Sequence, residues 1–389
     1  MRLGQRRRTA PGENSCQSLA VSPDGRWLVT VAMRSWFREE KGLRFGYAAD
    51  GVVDVWDLGI GKRVHRLAEG QGTYRSATFT ADGRVVLIGY YGGGSIPAEG
   101  GRAARKFEGE MNLLDPLAAR WVRSFTPPPP TPGVQDRYTG ATVLAPDGRT
   151  LYVSYNTGAI VGFETATGQP RRTLPGHRGY VGSLECSPDG RRLISSGKEG
   201  TALIWDVTLA GAAKLSKEPP NAATVEKLWT AVLGPDAGEA FTALAVLAAA
   251  PEQAIALLRR QIKPAPQGPT DAELDRLFDR LDSDDFATRE KASRELAAFG
   301  EAAVPGVRKR LVKGVSLELR LRARAFLDEF DLKEQSPERL RQIRAIELLE
   351  GIGTLAAKEL LSELAKGAAG APLTLEATAA LARLSQGPK

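Results

Sequence analysis

Two histidines, His65 and His177, are the only imidazoles in the 389-residue chain, and imidazole is the side chain most often used as a general base near neutral pH. His65 lies in a predicted strand and His177 in a predicted loop, and neither stands beside a nucleophile or a cluster of carboxylates in the sequence. The sequence also contains no P-loop, no His-Glu-x-x-His, no nucleophile elbow and no Cys-x-x-Cys. We therefore predict that the protein is not an enzyme and has no catalytic residue and no cofactor.

Three acidic residues, Asp282, Asp284 and Asp285, carry the oxygen ligands that Ca²⁺ and Mg²⁺ prefer. No histidine or second carboxylate group stands at ligand spacing nearby, and a stretch with helical spacing follows directly. Side-chain oxygens at such a place accept hydrogen bonds from the first N–H groups of a helix. We predict a helix cap here and no metal site.

The two cysteines, Cys16 and Cys186, fit no zinc or thioredoxin-like spacing, and two cysteines make no disulfide framework. We predict that both are small buried apolar residues without a redox role.

The tripeptide Asp-Gly-Arg occurs four times, each time between two short runs rich in apolar and β-branched residues. Asp at the turn entry and Gly at a positive-φ position suit a tight hairpin between two strands. Hairpins repeated at intervals of several tens of residues indicate the blades of a β-propeller rather than a catalytic domain. The turn residues are Asp24 and Gly25, Asp82 and Gly83, Asp147 and Gly148, and Asp189 and Gly190.

A third strand closes each repeat, and two of these strands end in Trp-Asp, at Trp56-Asp57 and Trp205-Asp206. Pro175-Gly176-His177 precedes the second Trp-Asp by about thirty residues. With this order of Gly-His and Trp-Asp, residues 4–207 resemble the WD40 repeat family. The resemblance implies a propeller fold in which a loop His, a strand Ser or Thr, a turn Asp and the strand Trp tie each blade by hydrogen bonds.

The last repeat matches that tie most fully. His177, Ser195 and Trp205 fall on the family's pattern, and Glu199 stands where Asp is usual. The second and third repeats lack both the Trp and the Gly-His pair, so we expect apolar packing between blades to hold them.

The start of the chain, residues 4–12, reads like residues 168–176, which are predicted to form an outer strand and its exit loop. The chain thus begins with a fourth strand and ends its β half on a third strand at Val207, so in a closed ring the first strand would complete the last blade. Four blades are few for this family. Three explanations stay open: a closed four-bladed ring, a homodimer that completes a larger propeller, and the remnant of a longer propeller protein.

The composition changes after Val207. Residues 208–222 look like a linker, and Ala, Leu, Glu and Arg follow with helical spacing over residues 223–389. An apolar pattern with a terminal glycine or proline occurs three times there, which resembles a HEAT-like α-solenoid of about ten short helices. Its three copies are Ala243, Leu247, Ala250 and Pro251; Ala292, Leu296, Phe299 and Gly300; and Ala345, Leu349, Ile352 and Gly353.

The sequence therefore predicts a multidomain β + α protein: WD40-type β-propeller blades over residues 1–207, a linker over residues 208–222 and an all-α HEAT-like helical-repeat domain over residues 223–389. Residues 1–210 contain 27 Lys and Arg against 20 Asp and Glu, so the net charge of +7 lies entirely on the β half. These basic residues are scattered and are not interleaved with aromatic residues, so we do not expect nucleic acid as a partner. No apolar run reaches the ~20 residues of a membrane span, and we predict a cytoplasmic location.

Two rigid repeat domains with different surfaces suit the binding of partners and require no cofactor. We predict a non-catalytic protein–protein interaction scaffold whose partners are other proteins. One alternative is the binding of nucleic acid or an acidic partner through the basic β half. A second alternative is a truncated remnant of a larger WD40 protein without independent function.

Overall fold

The computed structural model describes residues 13–40, 43–69, 74–80, 85–89, 111–116, 120–125, 139–213, 220–311, 316–333 and 336–385. The chain forms two compact units, Met1–Trp205 and Asp206–Lys389. The first is built from antiparallel sheets and the second from helices, so the predicted order of a β half followed by an α half is confirmed.

Four antiparallel sheets make up the first unit, and in each the strands follow one another in chain order. We call these sheets the first to fourth blades. The first contains β1 (Glu13–Val21), β2 (Trp27–Glu40), β3 (Leu43–Asp57) and β4 (Lys62–Glu69), and the second β5 (Tyr74–Phe79), β6 (Val85–Gly89), β7 (Met111–Asp115) and β8 (Arg120–Phe125). The third contains β9 (Thr139–Leu144), β10 (Thr150–Tyr155), β11 (Ile160–Glu164) and β12 (Pro170–Leu174), and the fourth β13 (Val181–Cys186), β14 (Arg192–Gly197) and β15 (Ala202–Asp206).

The blades share a bulge near the start of the inner strand, the strand that precedes the Asp-Gly-Arg turn. The register shifts between Cys16 and Ser18, between Tyr74 and Ser76, and between Val181 and Ser183. Each shift lies at the same distance from the turn that follows, and β9 of the third blade shifts at the corresponding place. A bulge is a specific feature of a fold rather than a defect. Its recurrence at the same position shows that these sheets are copies of one structural unit.

Neighbouring blades are joined by apolar cores. Between the first and second blades Val29 and Val55 lie fully buried against Tyr74 and Leu114. Between the second and third, Phe125 meets Phe163 edge to face, with ring centroids 6.1 Å apart. Apolar packing therefore holds the second and third blades, as expected for repeats without the Trp and His.

One feature of the blades differs from what the sequence predicts. In the first two repeats, residues 34–49 and 91–107 stand between the second and third strands, and the sequence predicts that they lengthen the turns there. Residues 34–49 instead mostly continue β2 and β3 as a paired hairpin that closes at Glu40 and Leu43. Within the described residues the fourth blade has three strands, as predicted, where the others have four. The strand predicted within residues 4–12, the turn at Asp82 and Gly83, and residues 91–107 lie outside the described residues.

The described part of the second unit contains eleven α-helices and a short 3₁₀ turn at Gly300–Ala303. Side-chain caps start several helices: Asp285 accepts the N–H of Thr288 at 2.8 Å, and Ser336 accepts that of Arg339 at 3.1 Å. The helices are α1 (Leu209–Ala213), α2 (Ala222–Leu233), α3 (Ala237–Ala248), α4 (Pro251–Gln261), α5 (Asp271–Leu281), α6 (Phe286–Ala298), α7 (Val304–Leu311), α8 (Leu317–Lys333), α9 (Pro337–Ile352), α10 (Leu355–Leu364) and α11 (Pro372–Ser385).

Helices α6 and α9 carry the two clearest copies of the predicted repeat. Leu296 and Leu349 are both buried, and both glycine stops take left-handed backbone, Gly300 at φ +60° and Gly353 at φ +63°. Glycine is required there because other residues rarely adopt a positive φ.

The helices form two separate cores. Helices α5–α8 build one, whereas α1–α4 and α9–α11 build the other together, with α9 packed directly on α2, α3 and α4. In a linear solenoid each repeat contacts its neighbours alone. Here α1–α4, at the start of the unit, share a core with α9–α11, at its end, and the helices of the α5–α8 core stand between these two groups in the sequence.

The predicted linker, residues 208–222, is partly structured. It contains α1, and Leu209 of that helix is buried in the core with α3 and α9. Among the described residues no single helix has the length and hydropathy of a membrane span; the bent pair α3 and α4 passes that test when taken together.

Candidate functional site

The side chains that the sequence assigns to the blade tie lie in one hydrogen-bonded network in the fourth blade. His177 Nε2 is 2.7 Å from Ser195 Oγ, and Trp205 Nε1 donates to the same oxygen at 2.9 Å. Glu199 contacts Nδ1 of His177 from the other side of the ring. Thr201 completes the network by donating to Glu199 at 2.7 Å. The network joins the loop before β13 to β14, β15 and the turn between those two strands.

Two glycines fix the approach of these side chains. A Cβ at Gly176 would lie 2.7 Å from the Trp205 ring, and a Cβ at Gly197 would lie 2.2 Å from the Glu199 carboxylate. The rigid indole leaves no room for a side chain at position 176, which explains why Gly stands before His177 in the motif, whereas a side chain at position 197 would displace the Glu199 carboxylate from the network.

The carboxylate of Glu199 is held in its ionised form. Its pKa is lowered to about 2, chiefly by the hydrogen bond from the Thr201 hydroxyl and next by that from His177. The longer Glu side chain thus reaches the position that the resemblance assigns to Asp. Thr201 was absent from the sequence prediction, and its place two residues after Glu199 is the signal that could have found it.

The first blade has a shorter version of the tie. Trp56 Nε1 donates to Thr30 Oγ1 at 3.1 Å, and Thr30 stands where Ser195 stands in the fourth blade. Asp57 accepts the N–H of Gly59 at 2.8 Å and pairs with Arg26 at 3.3 Å, which links the Trp-Asp pair to the Asp-Gly-Arg turn.

In the second and third blades, Leu114 and Phe163 occupy the positions of the two tryptophans, and both are buried. A buried hydroxyl joins the third blade to the fourth. Ser154 Oγ lies 2.9 Å from Val181 O and 3.1 Å from Ala141 O, and the two carbonyls share its single proton.

The described Asp-Gly-Arg turns share one geometry. Gly25, Gly148 and Gly190 have φ between +68° and +73°. The aspartate before each accepts the N–H of the arginine after it at 2.9–3.0 Å, and these aspartates are Asp24, Asp147 and Asp189. The turns are exposed or half-buried supports of the sheets and do not converge with the tie.

The described residues hold no group of three or more His, Cys, Asp or Glu side chains placed to bind a metal ion. Asp285 caps α6, and Asp282 accepts a hydrogen bond from Ser316. The prediction that both cysteines are buried is wrong for Cys16, which is exposed because β1 has an uncovered face. Cys186 is half-buried, and burial raises its pKa to about 12, so its thiol stays protonated.

A model of the family described as WD domain, G-beta repeat matches residues 4–57 and 168–206. These two segments are WD40 repeats. Each segment begins where an outer strand is predicted or observed and ends at a Trp-Asp strand, so the WD40 matches have the same phase as the blades.

Proteins with similar WD40 segments share short stretches with this chain. Small ribosomal subunit protein RACK1y of Oryza sativa subsp. japonica is 53% identical over 38 residues, or 10% of this chain and 11% of that protein. Nuclear distribution protein PAC1 of Arthroderma otae is 34% identical over 71 residues, or 18% of this chain and 15% of that protein. The chain therefore spans less than a fifth of these curated relatives.

Two solved structures have low similarity to this chain. The β-propeller domain of Cps50 (Swd1) from Myceliophteria thermophila has a TM-score of 0.36 and 18% identity, covering 53% of this chain and 55% of that one. The computationally designed Ika4 protein has a TM-score of 0.33 and 18% identity, covering 50% of this chain and 91% of that one. The assignment of WD40 repeats rests on the sequence match and on the blades themselves.

Proposed function

We propose that the chain is a non-catalytic scaffold that binds other proteins through the first blade and through the helical unit. The observation that carries the proposal is the length of the β2–β3 hairpin. β1 pairs with β2 as far as Ser35, and β4 pairs with β3 as far as Val52, whereas β2 and β3 continue to pair up to Glu40 and Leu43. We call residues 36–47 the arm, because among the described strands these residues pair only with each other.

The composition of the arm supports a role in protein binding. Its sequence includes Trp36, Phe37, Phe45 and Tyr47, and the ladder pairs Trp36 with Tyr47. Aromatic residues are enriched in protein–protein interfaces. No other strand in the described part of the chain pairs with the arm, so its two strand edges are places that an extended segment of a partner can join.

The helical unit offers a second surface. Phe286 at the start of α6 is 63% exposed, and Leu321 on α8 is 58% exposed. Arg289 links the two helices, since its guanidinium lies 5.8 Å from the Phe286 ring and 3.4 Å from Glu318, one turn before Leu321. Exposed apolar side chains in a fixed frame support protein binding here as well.

A cross-linking experiment tests the arm. A photoreactive phenylalanine analogue at Phe45 of the full chain should trap a protein partner in the cell extract, and the same analogue at Ile60, an exposed turn residue outside the arm, should not. The trapped protein is then purified and titrated with the wild-type chain. Equal trapping at both positions, or no binding by the purified protein, would refute the proposal.

A shortened arm gives an independent check. Ser35 pairs with Ala48, so an Asn-Gly turn can replace residues 36–47 and close the hairpin at that pair. We expect the thermal unfolding of the blades to change little and the affinity for the trapped partner to fall at least tenfold. Unchanged affinity would exclude the arm as the binding surface.

A further inference from the structure

The outer face of the fourth blade is uncovered at positions that are buried in earlier blades. Ile204 precedes the strand Trp and is 65% exposed, whereas its counterparts Val55 and Leu113 are 0% and 3% exposed. Ile194 is 43% exposed, whereas Val29, at the same distance from its turn, is fully buried. In the first two blades the next blade covers these positions, so the fourth blade presents the face that would receive a fifth.

The first blade is uncovered on the opposite side. Leu19 and Val21 on β1 are 64% and 49% exposed. In the second blade the equivalent residues are Ala77 and Phe79, which pack against the core shared with the first blade. In the fourth blade Leu184 holds the position of Leu19 and is 6% exposed. The first blade therefore presents the face that a preceding blade would cover.

A polar contact inside the chain shows how the two faces would meet. The N–H of Ala77 donates to Ser18 Oγ at 3.2 Å across the interface of the first and second blades. Counted back from the Asp-Gly-Arg turns, Ser183 in the fourth blade holds the position of Ser18 in the first. In the same way, Leu19 in the first blade holds the position of Ala77 in the second. Both Ser183 and Leu19 are exposed. The repeat thus pairs the two open faces in register: Ser183 of one blade would accept the N–H of Leu19 of the next.

We propose that the open face of the fourth blade binds the open face of the first blade of a second copy of this chain. Both faces are exposed in the same chain, so they do not cover each other. A second copy supplies both missing complements, and a two-fold axis makes the two contacts identical and closes the assembly. Four blades from each chain give eight, at the upper end of the range of about four to eight blades known for propellers.

The unpaired edge of β15 agrees with this arrangement. Within the described residues no strand pairs with that edge, and the sequence predicts an outer strand within residues 4–12, just before the first blade. An open strand edge is a surface on which another chain can pair, and the dimer places the edge of β15 at the contact between the two copies.

The mass of the full chain in solution, measured by sedimentation with charged variants, tests the dimer. We expect the wild-type chain at micromolar concentration to have twice the monomer mass. Leu19→Lys alone and Ile194→Glu alone should give monomers, because each buries an unpaired charge in both contacts of the dimer. The double variant should restore the dimer, because each contact then contains one Lys and one Glu.

Ile60→Lys is the matched control, since Ile60 is 63% exposed in the turn between β3 and β4 and lies on neither face. It should leave the dimer unchanged. A monomeric wild-type chain, single variants that remain dimeric, or an open series of higher masses would each overturn the proposal. None of the variants changes the arm, so a failed dimer and a failed scaffold are distinguishable.

Discussion

Substitution of Ser195 by Ala should loosen the fourth blade selectively. Ser195 is 1% exposed, and its hydroxyl is the common partner of His177 at 2.7 Å and Trp205 at 2.9 Å. Alanine keeps the Cβ and removes the oxygen, so the change tests the hydrogen bonds with little effect on packing.

The magnitude follows from the burial of the two partners. A net hydrogen bond is worth about 1 kcal/mol, and a buried group left without its partner costs about 1–3 kcal/mol. The His177 side chain is 0% exposed and takes the larger cost, whereas the indole of Trp205 is half-buried and can find water. The costs at His177 and at Trp205 together come to about 3 kcal/mol of lost stability. This corresponds to about a hundredfold increase in the equilibrium constant for opening of the blade.

Amide hydrogen exchange of β14, measured by mass spectrometry, reads that equilibrium locally. Ser196→Ala is the matched control, because Ser196 is the next residue of the same strand and is exposed; we expect less than about 0.5 kcal/mol from it. Ser195→Thr should keep the network, since Thr30 makes the equivalent bond to Trp56 in the first blade. If Ser195→Ala exchanges no faster than Ser196→Ala, the hydrogen-bonded tie does not hold the blade.

Three further predictions concern single residues. The pKa of Glu199 is lowered to about 2 from an ordinary 4.5, so its stabilising effect is complete above pH 4.5 and is lost as the pH falls towards 2. The opening equilibrium of β15, obtained from amide exchange after division by the intrinsic rate at each pH, should therefore rise over that interval in the wild-type chain and much less in Glu199→Gln; equal acid sensitivity would contradict this. Arg344 is fully buried and donates to the carbonyls of Val232 and Gly234 at 2.6 and 2.7 Å. Arg344→Met should therefore lower the unfolding free energy of the helical unit by about 3 kcal/mol, measured by urea titration followed by circular dichroism. An unchanged midpoint would show that these hydrogen bonds make no net contribution to stability. Gly353 ends α9 at φ +63°, so Gly353→Ala should lower the unfolding free energy of the helical unit by about 1 kcal/mol in the same titration. Gly353→Asn should lower it less, because Asn tolerates the left-handed backbone better than Ala; equal effects would exclude backbone strain as the cause.

The repeats were predictable because they rest on local chemistry. Asp and Gly form a tight hairpin at each of the described Asp-Gly-Arg turns, and the glycine stops Gly300 and Gly353 take a left-handed backbone that other residues rarely adopt. The tie was predictable through the resemblance, because His177, Ser195 and Trp205 keep both type and spacing.

Long-range packing was not predictable in the same way. The burial of Arg344 depends on α9 meeting the end of α2, more than a hundred residues earlier, and no local pattern records that contact. Leu19 is exposed because none of the described blades packs on that face of the first blade. Leu184 holds the equivalent position in the fourth blade and is buried. Residues 34–49 were predicted as an insertion that lengthens the turn between the second and third strands, whereas the structure extends both strands through most of it.

Covalent footprinting of the full chain over a range of concentrations tests the central claim, four WD40-type blades with two open end faces, most directly. We expect Leu19, Val21, Ile194 and Ile204 to be labelled in dilute solution and to become protected as the dimer forms. Val29 and Val55, buried between the first two blades, should stay protected throughout. Protection of Leu19 and Ile194 at every concentration in a chain of monomer mass would show a ring closed within one molecule and would refute the two open faces.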